Sequence, residues 1–423
     1  MIRIMKYGQI PNDEIFSRVR GLSDVSGAVS EIIADVVKEG DDALIKYSEK
    51  FDKVKLSALE VSEEEIDEAF SHTEPEFIRI LNRAKDNITL FHSNQKRSSF
   101  IINENGVTMG QKITPIEKVG LYVPGGTAAY PSTVLMDAIP AKIAGCGQIV
   151  MVTPPDKQGK VNSAILCAAR IAGVDKIFKV GGAQAIAALA YGTKSIPKVD
   201  KIVGPGNAYV AEAKKQVFGM VSIDMIAGPS EILIVADKTN DAAIVAADML
   251  SQAEHDKLAS AVLVTDSEAL ARAVADELER QIPLLERCDI ARASIDNNGK
   301  IIVADDILRA IDIANEIAPE HLELCLDTPF DYLDKIKNAG SIFMGKSCPE
   351  ALGDYLAGPN HTLPTSGTAR FSSPLSVDDF IKKVQYTYYT PKALADCYSD
   401  VAYFARKEGL TAHARSAEVR NEK

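Results

Sequence analysis

Apolar positions in the first quarter of the chain recur at intervals of three and four. In SGAVSEIIADVVKEGDDALIKYSEKF this period predicts amphipathic helix, with Gly40 as a stop and Asp41 and Asp42 opening the next helix. Residues 1 to about 115 therefore read as mostly helical. From Val119 to about Gly345 the pattern changes to nine short β-rich runs: VGLYVPGG, QIVMVTPP, KIFKVGG, KIVGPGN, EILIVAD, SAVLVTD, KIIVAD, LELCLD and GSIFMG. Each is read as followed by a Gly or Pro turn, and helical patterns such as AQAIAALAYG and EALARAVADELERQI lie between many of them. Such alternation predicts parallel sheets with right-handed crossovers, covered on both faces. Nine strands exceed one tidy open sheet, so two βα sheets are expected, with the break inside MIAGPSEILIVAD, residues 225–237. A duplicated unit is possible, although no internal repeat is visible. Residues 347–374, SCPEALGDYLAGPNHTLPTSGTARFSSP, follow neither period, and so long an irregular segment is functional or disordered. The last fifty residues return to a helical pattern and read as a small tail domain.

Composition narrows the class. The chain has 423 residues, enough for two or three domains, and is 46% hydrophobic and 25% charged, as packed proteins are. Its net charge of −12 comes from 59 acidic and 47 basic residues spread along the chain. No basic block is dense enough to follow a phosphate backbone, so no nucleic-acid partner is expected. The six cysteines, at 146, 167, 288, 325, 348 and 397, include no C-x-x-C pair and fit reduced thiols. The start lacks the apolar run of a signal peptide, and no stretch of about 18 apolar residues occurs. A cytoplasmic protein without a membrane partner is expected.

Candidate chemistry gathers at the histidines. His72 and His92 sit among charged helical residues and read as solvated or capping groups. His255, His321, His361 and His413 fall at element boundaries or in the irregular segment, with informative neighbours. Gln252 precedes His255 by three, which on a helix aims both side chains at one spot. Asp354 and His361 share the Gly-rich segment, and Glu408 and His413 share the tail. Imidazoles with a carboxylate suit Zn²⁺, but the donors are dispersed and no compact H-E-x-x-H run is present. In IAPEHLEL, Pro319 should stop a helix and leave Glu320 and His321 at the entry to a strand, in the loop layer where α/β enzymes place their chemistry. An adjacent acid and imidazole invite general base catalysis. No G-x-G-x-x-G follows the first strand. VPGGTAAYPSTVLM, VGGAQAIAALA and VGPGNAYVAEAKK nevertheless each run from strand through glycine to a helix N-terminus, where free amides can receive phosphate. A nucleotide ligand and mere tight packing both stay open at these turns. So do two functions: a zinc hydrolase using Glu320 on a metal-bound water, and a non-catalytic nucleotide-binding protein.

The segments GLYVPGG, VGGAQAIAALA, DKIVGPGNAYV, AGPSE, SQAEHD, PEHLEL, GDYLAGPNHTLPT and LTAHA, in this order over residues 120–415, resemble the histidinol dehydrogenase family. The resemblance implies an NAD⁺-linked enzyme with one zinc ion per subunit. Such an enzyme oxidises L-histidinol through L-histidinal to L-histidine, the last two steps of histidine biosynthesis. It implies an α/β fold of two Rossmann-like parallel-sheet domains, with a helical N-terminal segment and a helical C-terminal tail domain. The expected division is residues 1–20 as N-terminal segment, 21–118 plus 232–370 as the domain with metal and catalytic residues, 119–231 as the NAD-associated domain, and 371–423 as the tail. Matched residue by residue, Gln252, His255, Asp354 and His413 are the implied zinc ligands. His413 would serve the partner's metal in a homodimer with shared active sites. Glu320 and His321 are the implied catalytic pair, His321 as the base for both oxidations and Glu320 as the activator of water. Tyr122, Gln184 and Asn207 match the cofactor site. Ser230, His361 and Glu408 match substrate contacts, joined by Gln252, His255, His321, Asp354 and His413.

Overall fold

The structure, a computed structural model, describes residues 2–17, 24–125 and 129–422. All nine predicted runs are strands, and they divide into two parallel sheets at the expected break, between Ile223 and Glu231. The first sheet has five strands in the order Lys176–Lys179, Gln148–Thr153, Lys118–Tyr122, Lys201–Val203, Ser222–Ile223. The second has six, in the order Arg3–Lys6, Lys300–Val303, Ser260–Thr265, Glu231–Ala236, His321–Cys325, Ser341–Met344. With the N-terminal edge strand set aside, both sheets run third, second, first, fourth, fifth in chain order. Two units wound alike are what a duplication would leave.

The strands are apolar almost throughout because both faces of each sheet are covered. In Glu231–Ala236, Ile232, Ile234 and Ala236 enter one core while Leu233 and Val235 enter the other. In Gln148–Thr153, Ile149 and Met151 face one core and Val150 and Val152 the opposite one.

The structure departs from the sequence reading in three places. The N-terminal segment is not purely helical: Arg3–Lys6 pairs in parallel with Lys300–Val303, yet only Met5 of the four is buried, too little to make a period. The helices expected to join the metal-bearing unit cover the five-stranded sheet instead. Val29, Val36, Leu44 and Tyr47 lie in one of its cores, and Leu81, Ala84 and Ile88 in the other. The tail is not all helix either. Ile381–Tyr389 is a nine-residue strand, paired antiparallel to Val107–Pro115, which also pairs with Phe100–Glu104. The Tyr- and Thr-rich run YTYY favours strand, but eight of the nine residues are exposed, so no buried face marks it.

Beyond this small sheet stands a helical hairpin, Tyr398–Lys407 and Thr411–Glu418, whose buried cluster is only Ala402, Ala405 and Ala414. Among the described residues no helix is long and apolar enough to cross a membrane.

Candidate active site

A cavity of about 510 Å³ lies between the two sheets. The five-stranded sheet reverses its winding between Lys118–Tyr122 and Lys201–Val203, and a crevice forms outside the carboxyl ends of strands at such a point. Residues 204–207 close that crevice, and the connector between the sheets, 224–230, forms the next wall. The six-stranded sheet meets the cavity by its opposite edge: Ser230 precedes the strand Glu231–Ala236, and Glu320 and His321 stand at the amino end of its neighbour. Glu320 and His321 therefore stand at the entry to their strand, as the sequence suggested, and so at the amino ends of this sheet, opposite to the carboxyl-end loop layer usual in α/β enzymes.

Helix Ala242–Ala253 brings Gln252 to this edge, and its chain turns so that the His255 amide donates to the Gln252 carbonyl at 3.1 Å. His255 thus sits just past the helix rather than one turn along it, but both side chains line the cavity. Gln252 is 1% exposed, and neither polar atom of its carboxamide has a hydrogen-bond partner. An orphaned buried amide costs on the order of 1–3 kcal/mol and so calls for an occupant. Burial holds the His255 imidazole below its ordinary pKa against the opposing charge of Asp354, which keeps it neutral and able to ligate. Asp354 lies on the short helix Ala351–Tyr355. Its burial favours the neutral acid, but the hydrogen bond and charge of His361, with His321 and His255 beyond, outweigh it and hold the carboxylate ionised. The His361 Nδ1 to Asp354 Oδ1 distance is 3.5 Å. His361 reaches across to the other sheet through Nε2, 3.3 Å from Thr133 Oγ1.

Glu320 is 6% exposed and accepts the Glu231 amide at 2.8 Å. Burial raises its pKa well above the usual carboxylate range, with the charges of Glu231 and Asp354 adding to the effect and the amide hydrogen bond opposing it. His321 Nδ1 lies 2.9 Å from the Glu231 carbonyl oxygen. A carbonyl only accepts, so Nδ1 carries the proton and Nε2 is the basic nitrogen of the neutral ring. On the Nε2 side, 3.8 Å away, is Glu350 Oε1. Glu350 is 2% exposed, its Oε1 has no hydrogen-bond partner, and its Oε2 accepts from Ser251 Oγ at 2.9 Å. Burial and then the charge of Asp354 push its carboxyl up to about 7. The nearest donor atoms of His321, Glu350 and Asp354 all lie within 4.8 Å of one another. The sequence reading passed over Glu350, although it stands four residues before Asp354 in PEALGDY, the spacing that stacks two acids on one helical face.

Asn207 lines the cavity and caps helix Ala208–Val217, accepting from the Tyr209 and Val210 amides at 3.0 and 3.2 Å. Tyr122 and Gln184 lie behind the lining. The Tyr122 hydroxyl accepts the Gly182 amide at 3.1 Å, while Gln184 Oε1 is buried without a partner. Part of the predicted turn VPGGTAAYPSTVLM, residues 126–128, lies outside the described residues. Glu408 and His413 do not reach this cavity: both are exposed on the distant hairpin. His72 is exposed as expected, but His92 is fully buried, with Nδ1 2.7 Å from Gln95 Oε1, so it is a packed residue and not a surface one.

The sequence profile described as histidinol dehydrogenase matches residues 17–421. The chain belongs to the histidinol dehydrogenase family. It is 55% identical to the histidinol dehydrogenase of Clostridium acetobutylicum over 426 aligned positions, covering 99% of each chain. The Bacillus cereus histidinol dehydrogenase is 56% identical over 395 positions, 93% of this chain and 92% of the relative. The crystal structure of the Elizabethkingia anophelis histidinol dehydrogenase superposes with a TM-score of 0.94 at 40% identity, covering 100% of this chain and 98% of that one. As a member of the histidinol dehydrogenase family, the chain is an oxidoreductase. Of the segments that carried the family resemblance, those around Asn207, Ser230, His255, Glu320 and Asp354 meet at one cavity.

Proposed function

We propose that the chain oxidises L-histidinol through L-histidinal to L-histidine, using two NAD⁺ and one zinc ion per subunit. The observation that carries this reading is the orphaned Gln252 carboxamide, which faces one cavity together with His255, Asp354 and the Glu320–His321 pair. The donor set fits zinc: a neutral imidazole, an amide oxygen and an ionised carboxylate are nitrogen and oxygen ligands that leave room for substrate. The turn at 204–207, closing the switch point of a Rossmann-like sheet at a helix N-terminus, fits a dinucleotide without the usual glycine fingerprint. Bound zinc would supply a positive centre for the substrate's nitrogens, and bound nicotinamide a hydride acceptor.

The chain's own residues carry the protons. His321 Nε2 takes the hydroxyl proton as the carbinol carbon gives up hydride, and the aldehyde results. Glu320, whose buried environment makes its carboxylate a strong base, takes a proton from the water that adds to the aldehyde, while protonated His321 returns its proton to the aldehyde oxygen, giving the hydrate and a free imidazole. His321 then takes the hydroxyl proton of the hydrate as the second hydride leaves. The cavity walls hold the aldehyde between the two steps and limit its escape. Exposed His413 and Glu408 suit a role in trans, His413 as the fourth zinc ligand and Glu408 as a substrate contact in the partner of a homodimer. The six free cysteines are consistent with a cytoplasmic setting.

The test is to supply purified protein with zinc, NAD⁺ and histidinol and follow reduced nicotinamide. Two reduced nicotinamides should form per histidinol consumed, with histidine as product. No reduction at all, or reduction that stops at one equivalent with free aldehyde, would overturn the proposal.

A further inference from the structure

Beneath the turn at 204–207 lies an ion pair that the chemistry above does not use. Lys214 projects from helix Ala208–Val217 and pairs with Asp224, which follows the edge strand Ser222–Ile223; their side chains are 2% and 1% exposed. Lys214 Nζ donates to the Gly204 carbonyl at 2.9 Å, and the Gly204 amide donates to Asp224 Oδ2 at 2.8 Å. One buried pair thus holds both polar groups of a single peptide residue. Gly204 has φ +116° and sits so close to the neighbouring strand that a Cβ would come 2.1 Å from the Tyr122 carbonyl oxygen. Asp224 also fixes the start of the connector between the sheets, accepting the Met225 amide at 2.6 Å. Apolar side chains of the same volume would stabilise such a spot as well or better, because charges are costly to desolvate. What the charges add is a fixed position for the backbone.

We propose that Lys214 and Asp224 are positioning residues for the cofactor. They clamp Gly204 so that Pro205, Gly206 and Asn207 present a preformed surface to the dinucleotide. The inference rests on the reading that this turn carries NAD⁺.

The test uses metal-free full-length protein and NADH fluorescence to read affinity, with separate KM values from the zinc-loaded enzyme. The variants are Asp224→Asn, which keeps an acceptor for the Gly204 amide, and Lys214→Met with Asp224→Asn, which removes both charges. Should neither fold, Lys214→Arg, which keeps the charge and displaces the donor, is read in the same way. NADH affinity should fall roughly tenfold or more, as small displacements of a binding surface do. KM for NAD⁺ should rise in parallel, while KM for histidinol, zinc content and kcat at saturating NAD⁺ stay within about twofold, the mark of lost uniform binding. A folded variant with wild-type NADH affinity overturns the clamp, as does an equal rise in both KM values. Wild-type protein that fails to bind NADH overturns the underlying reading of the turn instead.

Discussion

Glu320 and His321 are neighbours in sequence with separate proposed tasks, and Glu231 holds them apart: its amide donates to the Glu320 carboxyl and its carbonyl accepts from the His321 ring. Glu320→Gln removes the base for water but leaves the imidazole in place. Oxidation of histidinol to the aldehyde should therefore survive, while oxidation of supplied histidinal falls by about 10²- to 10⁴-fold. His321→Asn should impair both steps, and a Glu320→Gln enzyme that oxidises histidinal normally would refute the division. A second residue offers a pH test away from the reacting atoms. Asp137 is fully buried under the cavity wall, and burial first, then the charge of Asp224, pushes its carboxyl up to about 7. The folded chain thus holds a proton that the unfolded chain releases. Its contribution to stability is full below about pH 4 and is lost as pH rises through about 7, a fall of about 4 kcal/mol at most. Asp137→Asn should flatten the decline in Tm across that window, and parallel Tm curves for the two proteins would show the assignment wrong. Sequence exposed Glu320, His321, Gln252 and His255 because they sit in short segments of unusual composition. Glu350 escaped because an acid beside a helix is ordinarily solvated, and only the packing of Ser251 and His321 around it makes it exceptional.

At the scale of elements, the strands of both sheets were legible because burial on two faces forces near-continuous runs of Val, Ile and Leu. Arg3–Lys6 and Ile381–Tyr389 were not, since an edge strand or an exposed strand draws its definition from a partner elsewhere in the chain. Helix Ala242–Ala253 shows how an element delivers chemistry. Asp241 caps its start by accepting the Ala243 amide at 2.8 Å, and Val245, Ala246, Met249, Leu250 and Ala253 anchor it in the core before Gln252 and His255 emerge. Loss of the cap in Asp241→Ala should lower stability by about 1 kcal/mol, measured as a shift in denaturant midpoint. Zinc affinity should stay nearly unchanged, because the core residues and not the cap set the far end. A large fall in zinc affinity in that variant would mean that the helix slides as a unit and that its register depends on Asp241.

In the whole molecule, two sheets with one winding meet a single cavity by opposite edges, the first with its carboxyl ends and the second with its amino ends. That arrangement would let the proposed cofactor surface face the proposed metal ligands and base, and it could not be read from nine strands in a row. Nor does chain order tell whether a tail residue serves any site, in its own copy or in another. The tail carries its own indication: the exposed sheet presents Phe100, Ile101, Ile102, Val384, Tyr386 and Tyr388, and the hairpin adds Tyr403 and Phe404, all exposed. An apolar surface of this kind on a hairpin whose buried residues are four alanines, Ala402, Ala405, Ala414 and Ala417, needs covering, and a second copy of the chain would supply the cover and the proposed fourth zinc ligand together. His255→Asn and His413→Asn should each be inactive and deficient in zinc. In a heterodimer of the two, one site carries both substitutions and the other carries neither. Equal amounts of the two proteins, dissociated and reassembled, should therefore recover about one quarter of wild-type activity, the value for random pairing in a two-fold dimer. If mixed dimers form, as native mass spectrometry can establish, and activity stays at the level of the parents, then His413 does not complete its partner's site.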